Sequence, residues 1–147
     1  MTAFPRHPDG QPVGQTAATG FQIGVRRTLP ISRQEAWDYM MSRQGLRLWI
    51  GDVPSLDLQP GAAYESKEGN RGEMRVVKLH EQLRLTWQPK RWERPSTLQI
   101  RFLPAANGKT TISFHQEKLD GPMQREEMKL FWEDVIARIA EDTVPKN

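Results

Sequence analysis

The stretch that most constrains the fold is PMQREEMKLFWEDVIARIAE, residues 122–141. Met128, Phe131, Val135 and Ile139 recur at steps of three and four, and Trp132 and Ile136 widen the same apolar stripe. Arg125, Glu127, Lys129, Asp134 and Arg138 fall mostly away from it. This is the period of an amphipathic helix with a broad apolar face. A face that wide must be buried against a large apolar partner, and the rest of the chain has to supply it.

The middle of the sequence does so with strands. Phe21, Ile23 and Val25 alternate with Gln22 and Gly24, which predicts a first strand over 22–29, closed by Pro30. Ser32 with Glu35 three residues on is a capping box, and Ala36, Trp37, Met40 and Met41 give the helix it opens an inward face. Gly45 ends or bends that segment, and Leu46, Leu48, Trp49 and Ile50 predict a second short helical turn before Gly51. From Ser55 the punctuation becomes β-like. Strands are expected over 62–67, 73–80, 83–87, about 98–102 and 110–116, with Asn107-Gly108 as a hairpin turn. Asp120 offers an N-cap, and Pro122 suits the first turn of the final helix. Strand, two short helices, a run of antiparallel strands and one long helix make an α+β two-layer domain.

Length and composition narrow the class. At 147 residues the chain suits one domain with one core, spanning 21–141, after a Pro- and Gly-rich tail over 1–20 expected to be flexible and before a short tail over 142–147. No apolar run approaches the ~20 residues needed to span a bilayer, and the start lacks a signal-peptide pattern. Cysteine is absent, which removes disulfide and thiol chemistry and leads us to expect a cytoplasmic protein. Between Lys67 and Arg101 nine Lys or Arg face four Glu, a net of +5. That excess could attract an anion, but strands that alternate must put polar side chains outward, so a solvated sheet face accounts for it.

Chemistry-bearing patterns are sparse. His7, His80 and His115 stand in no metal-ligand or His-base spacing, so neither a metal nor a cofactor is expected. There is no phosphate-cradling glycine loop and no nucleophile elbow. Glu65 and Glu73 are the carboxylates nearest inward positions, and both are expected to be exposed. Of the five tryptophans, Trp37, Trp49, Trp87 and Trp132 lie on apolar faces, where they serve as core or as the wall of a pocket. Trp92, between Arg91 and Arg94 in PKRWERP, could stack on a base, pack on a partner or lid a pocket. One aromatic-basic loop is not a repeated stacking platform, so nucleic acid is not the expected partner.

The order of these elements and several local motifs resemble the SRPBCC superfamily, the START and birch-pollen-allergen helix-grip fold. Within it the chain is most similar to the C-terminal domain of the activator of heat-shock protein 90 ATPase. The matching pieces run from Arg27-Thr-Leu-Pro-Ile-Ser to Trp37, through Gly45-Leu-Arg-Leu-Trp-Ile-Gly51 and Glu81-Gln-Leu-Arg-Leu-Thr-Trp87, to Thr110-Thr-Ile-Ser-Phe-His-Gln116 and the helix bearing Trp132. Two positions depart from the family pattern: Ile50 replaces a second aromatic, and Gln116 stands where many relatives carry His. The resemblance implies a curved antiparallel sheet gripping the C-terminal helix, with a cavity between them. The expected role is to bind a small hydrophobic or amphipathic ligand, such as a lipid, sterol or polyketide, and a stress-related setting is expected with it. The expected lining is Trp49, Tyr64, Met74, Trp87, Ile100, Phe102, Phe114, Gln116, Met128 and Trp132, with Gln116 orienting the ligand's polar end. A protein-interaction role as a chaperone-ATPase activator-like cofactor and a cyclase or aromatase-like enzyme are the alternatives. No catalytic residue is assigned.

Overall fold

A computed structural model describes residues 15–16 and 20–145. Most of the N-terminal tail, including His7, lies outside the described residues. Seven strands form one sheet in the order β1-β2-β7-β6-β5-β4-β3, every neighbouring pair antiparallel. They are β1 (Gln15–Thr16), β2 (Gly20–Leu29), β3 (Ala63–Glu65), β4 (Arg71–Lys78), β5 (Gln82–Trp87), β6 (Ser96–Pro104) and β7 (Thr110–Leu119). Helices α1 (Arg33–Met41) and α2 (Arg43–Trp49) follow β2, and α3 (Pro122–Thr143) closes the chain. The α+β helix-grip reading holds. The first long strand pairs with the last, Val25 opposite Phe114, and α3 packs across the sheet's apolar face.

The alternation that identified the strands also sorts their faces. Leu83, Leu85 and Trp87 of β5, Leu98, Ile100 and Phe102 of β6, and Ile112, Phe114 and Gln116 of β7 are all buried. From α3, Met128, Trp132, Val135, Ile136 and Ile139 meet them. Fully burying one such side chain stabilises the fold by about 1.5–3 kcal/mol, which is why the period of the helix outweighs its many charged residues.

Local chemistry sets the joints. The Ser32 hydroxyl accepts from the Glu35 N–H at 3.0 Å, and the Ser32 N–H donates to Glu35 Oε1 at 2.9 Å, as the capping box requires. Ser42 both ends α1 and caps α2: its hydroxyl donates to Tyr39 O at 2.6 Å and accepts from Gly45 N–H at 3.1 Å. Gly45 therefore sits in the first turn of α2 instead of ending α1. A Cβ there would lie 1.9 Å from Tyr39 O, so only glycine lets the two helices meet so tightly. The hairpin between β6 and β7 uses Asn107 and Gly108 with φ of 60° and 75°, the left-handed conformation such turns favour.

Several boundaries differ from expectation: β2 begins at Gly20 and α3 runs to Thr143, inside stretches expected as tails, while β6 and β7 are longer than their alternation showed. β3 is confined to Ala63–Glu65, and β4 begins at Arg71 instead of Glu73. The N-cap of α3 is Gly121, with no side-chain cap. Asp120 is drawn instead into an ion pair with Arg94 at 2.5 Å, while its N–H donates to Gln124 Oε1 at 2.8 Å.

Candidate functional site

The centre of the grip is occupied by the helix itself. Trp132 stacks on Phe114 with ring centroids 4.5 Å apart and planes 16° from parallel, and Trp87 lies 5.5 Å away on another side. Its indole N–H donates to Gln116 Oε1 at 2.8 Å. Gln116 Nε2 donates to Ser96 Oγ at 2.9 Å, and the Ser96 hydroxyl donates to Trp87 O at 2.6 Å. This buried chain of three hydrogen bonds crosses α3, β7, β6 and β5, and each partner satisfies the next. Trp132, Phe114, Gln116 and Ile100 are 0% exposed, so no water-sized space opens beside them.

The ten side chains expected around one ligand are thus divided. Ile100, Phe102, Phe114, Gln116, Trp132 and Met74 pack in the core, each at most 1% exposed. Tyr64 stands apart at the β3 edge, lying over Gly72 and donating to Thr86 O at 2.9 Å, and burial pushes its phenol well above the usual range. Trp49, Trp87 and Met128 come together at one end of the grip, where they floor a cleft of about 320 Å³.

Three elements shape that cleft. The end of α2 brings Arg47, Leu48, Trp49 and Ile50; the turn between β3 and β4 brings Glu68 and Asn70; and α3 brings Glu127, Met128 and Phe131. Pro89 and Arg91 close it from the β5–β6 loop. Its floor is fixed by hydrogen bonds that face away from the opening. Trp87 Nε1 donates to Trp49 O at 2.8 Å, Trp49 Nε1 to Met40 O at 3.1 Å, and Asn70 Nδ2 to Ile50 O at 2.9 Å. The indoles therefore offer a ligand their faces and edges, not their N–H groups. Phe131 is half-buried, 5.7 Å from Trp87 and 4.9 Å from Trp132, and leaves an apolar edge toward the opening.

Charges ring this floor. Arg91 and Glu127 form an ion pair across the mouth, joining the β5–β6 loop to α3. Glu68 accepts the Asp52 N–H at 2.9 Å, and that bond is the main reason its carboxyl is held below the usual range. Gly51 makes this turn possible: its φ is 127°, and a Cβ would lie 2.6 Å from Glu68 Oε1. Arg47 is exposed at the rim. Phe131 is legible in the sequence as one of the residues that define the α3 stripe, and Leu48, Trp49 and Ile50 as the apolar residues of the second helical turn. The others had no signal, because a turn and a loop remote in sequence bring them in.

Trp92 is not the exposed stacking residue its neighbours implied. It is 5% exposed and sits edge-on to Trp87 at 5.5 Å, while Arg91 and Arg94 turn outward to Glu127 and Asp120. Its indole N–H is a buried side-chain donor without a partner among the described residues. Glu65 is exposed, and Glu73 is half-buried with Arg75 at 2.6 Å. His115 faces away from the core and pairs with Gln22 Oε1 at 2.9 Å, and His80 packs edge-on to Trp37. Among the described residues no three His, Cys, Asp or Glu gather as a metal site would need, and no helix is long and apolar enough to cross a membrane.

Comparison with known proteins follows the fold. A family model described as activator of Hsp90 ATPase homolog 1-like protein matches residues 30–142. Among solved structures, the chain is similar to PFC0360w, an HSP90 activator from Plasmodium falciparum, at 15% identity and a TM-score of 0.69, covering 82% of this chain and 94% of that one. CalU16 from Micromonospora echinospora matches at 16% identity and a TM-score of 0.71, covering 99% and 88%. DynU16, from the dynemicin biosynthetic locus, matches at 18% identity and a TM-score of 0.68 over 82% of this chain, which spans only 46% of that longer one. At these identities the likeness is one of fold. No curated protein matches the chain.

Proposed function

The chain belongs to the family of activator of Hsp90 ATPase homolog 1-like proteins, and we propose that it is a binding module for a small amphipathic molecule held in the cleft at the open end of the grip. The observation that carries this reading is the cleft itself. About 320 Å³ lies over Trp49, Trp87, Met128 and Phe131, beside a core with no room of its own around Trp132. That volume is at the small end of ligand pockets, and an apolar floor with a few polar rim groups is their usual composition. Burial of ligand carbon would drive binding at about 25 cal/mol per Å² before the costs of association. A stress-related role in the cytoplasm belongs to the same proposal.

The test is amide chemical-shift mapping of the full chain against a panel of short-chain and aromatic amphiphiles. Shifts clustered at Leu48–Gly51, Arg91 and Glu127–Phe131 support the reading. Shifts scattered over the surface, or none at millimolar ligand, end it.

A protein-interaction role is the second reading. It is favoured by the family and by two large apolar side chains on α3, Met123 and Leu130, at 87% and 61% exposure. Adding the chain to Hsp90 should then raise its ATPase rate, and an unchanged rate with no co-purification removes this reading. For a cyclase-like step we assign no acid or base: the cleft carboxylates Glu68 and Glu127 are engaged by Asp52 N–H and Arg91.

A further inference from the structure

The charges around the cleft specify the head of the molecule it takes. Glu127 is matched by Arg91, and Glu68 is held by the Asp52 N–H. Asp52, just after Gly51, takes its short contacts from Arg43 at 3.3 Å and Lys67 at 3.7 Å, and the charge of Arg47 acts on it only from beyond ion-pair distance. Arg47 lines the cleft, is exposed, and has neither an ion pair nor a side-chain hydrogen bond among the described residues. Arg47 is thus the lining cation with no ion pair of its own, while Glu127 is paired with Arg91 and Glu68 is held in place by an N–H.

Resting on the binding role proposed above, we propose that the cleft selects an anion-headed amphiphile. Its carboxylate meets the guanidinium of Arg47, and its apolar body lies on Trp87, Met128 and Phe131. Arginine presents a planar fork of donors that a carboxylate can accept from in pairs. An uncharged head of the same size gives Arg47 no counter-charge, and an ammonium head placed beside Arg47 is repelled by it. Arg91 is the second cation at the mouth, but its charge is spent on Glu127. Glu127 therefore acts as an internal competitor for the ligand's head, and releasing Arg91 from it should tighten binding of an anion.

The experiment compares 4-phenylbutyrate, 4-phenylbutan-1-ol and 4-phenylbutylamine, three molecules with one apolar body and different heads. Their affinities for the full chain are measured by amide shift titration at low salt. The acid should bind about three- to tenfold more tightly than the alcohol, the size expected of a partly exposed charge-assisted contact. The amine should bind least. Arg47→Gln should remove the acid's advantage, bringing acid and alcohol to about equal affinity. Glu127→Gln should raise the acid's affinity severalfold relative to the alcohol's. Equal binding of acid and alcohol, or an acid preference that survives Arg47→Gln, overturns the head-group assignment while the binding role stands. Absence of shifts at the cleft with all three overturns both.

Discussion

Replacing Gln116 with leucine tests whether the centre of the grip is a packed core or a ligand seat. In the structure both polar atoms of this side chain are used, Oε1 by the Trp132 indole at 2.8 Å and Nε2 by Ser96 Oγ at 2.9 Å. Gln116→Leu nearly preserves the volume but leaves the Trp132 N–H with no acceptor at a site that is 0% exposed. Leaving a buried donor unsatisfied costs about 1–3 kcal/mol. Ser96 keeps its own donation to Trp87 O, so its lost partner adds little. We expect a loss of about 2 kcal/mol, which for a chain of this size lowers Tm by roughly 4–8 °C. Trp132→Phe should cost somewhat more, because it strands Gln116 Oε1 and also opens a void. The double variant is the decisive member. If the two groups stabilise each other, it should be about 1–2 kcal/mol more stable than the sum of the single losses implies. Urea denaturation followed by far-ultraviolet circular dichroism gives all four free energies. A Gln116→Leu protein as stable as the parent, or single losses that simply add, would refute the account of a hydrogen-bonded plug.

Three further outcomes are expected. Ser32→Ala removes half of the capping box and should cost about 1 kcal/mol, read as a Tm lower by a few degrees with an unchanged circular dichroism spectrum. Gly72→Ala places a Cβ 1.9 Å from Thr86 O and 2.6 Å from Tyr64 Oη, so β4 must shift and the loss should exceed about 2 kcal/mol; a neutral variant contradicts that packing. The chain's two tyrosines should both resist ionisation, Tyr39 through burial and then its hydrogen bond to Asp142, and Tyr64 through burial. A phenol whose folded pKa is raised contributes stability that is intact below its unfolded value near 10 and is lost as pH rises toward the folded one. The native protein should therefore show little tyrosinate absorbance at 295 nm at a pH of about 10.5 where the urea-unfolded chain shows most of it; equal absorbance refutes both assignments.

The elements were legible because each rests on a periodic pattern or a local motif. Ser32 and Glu35 declare a helix start within four residues, and Leu83, Leu85 and Trp87 declare the face of β5 by alternation alone. The fold class follows, since one broad helical stripe and one run of antiparallel strands have few ways to bury each other. Asp120 misled because an N-cap and an ion-pair partner look alike in sequence, and Arg94 is contributed by a loop 26 residues away. The site was less legible still. Apolar position showed that Trp132 faces inward, but not whether it fills or frames a cavity. That depends on where Gln116 stands across the sheet. Glu68, Asn70 and Arg91 reach the cleft through turns whose directions are set by tertiary contacts, and no spacing rule carries that information. Trp92 read as exposed because its neighbours are charged, yet it turns beneath them to meet Trp87.

The pairing of β2 with β7 has a consequence for the order in which this protein is made. Thr28 and Thr111 hold each other by a hydroxyl hydrogen bond at 2.6 Å across 83 residues of chain. β2 therefore has no long neighbour until β7, the last strand of the sheet, has left the ribosome, and α3 follows later still. Closing so long a loop costs entropy before any contact repays it, and folds dominated by such contacts form slowly. Until that moment β2 is an open edge with Phe21, Ile23 and Val25 unshielded. The vulnerable form is a chain that already carries β2 to β6 but not yet β7.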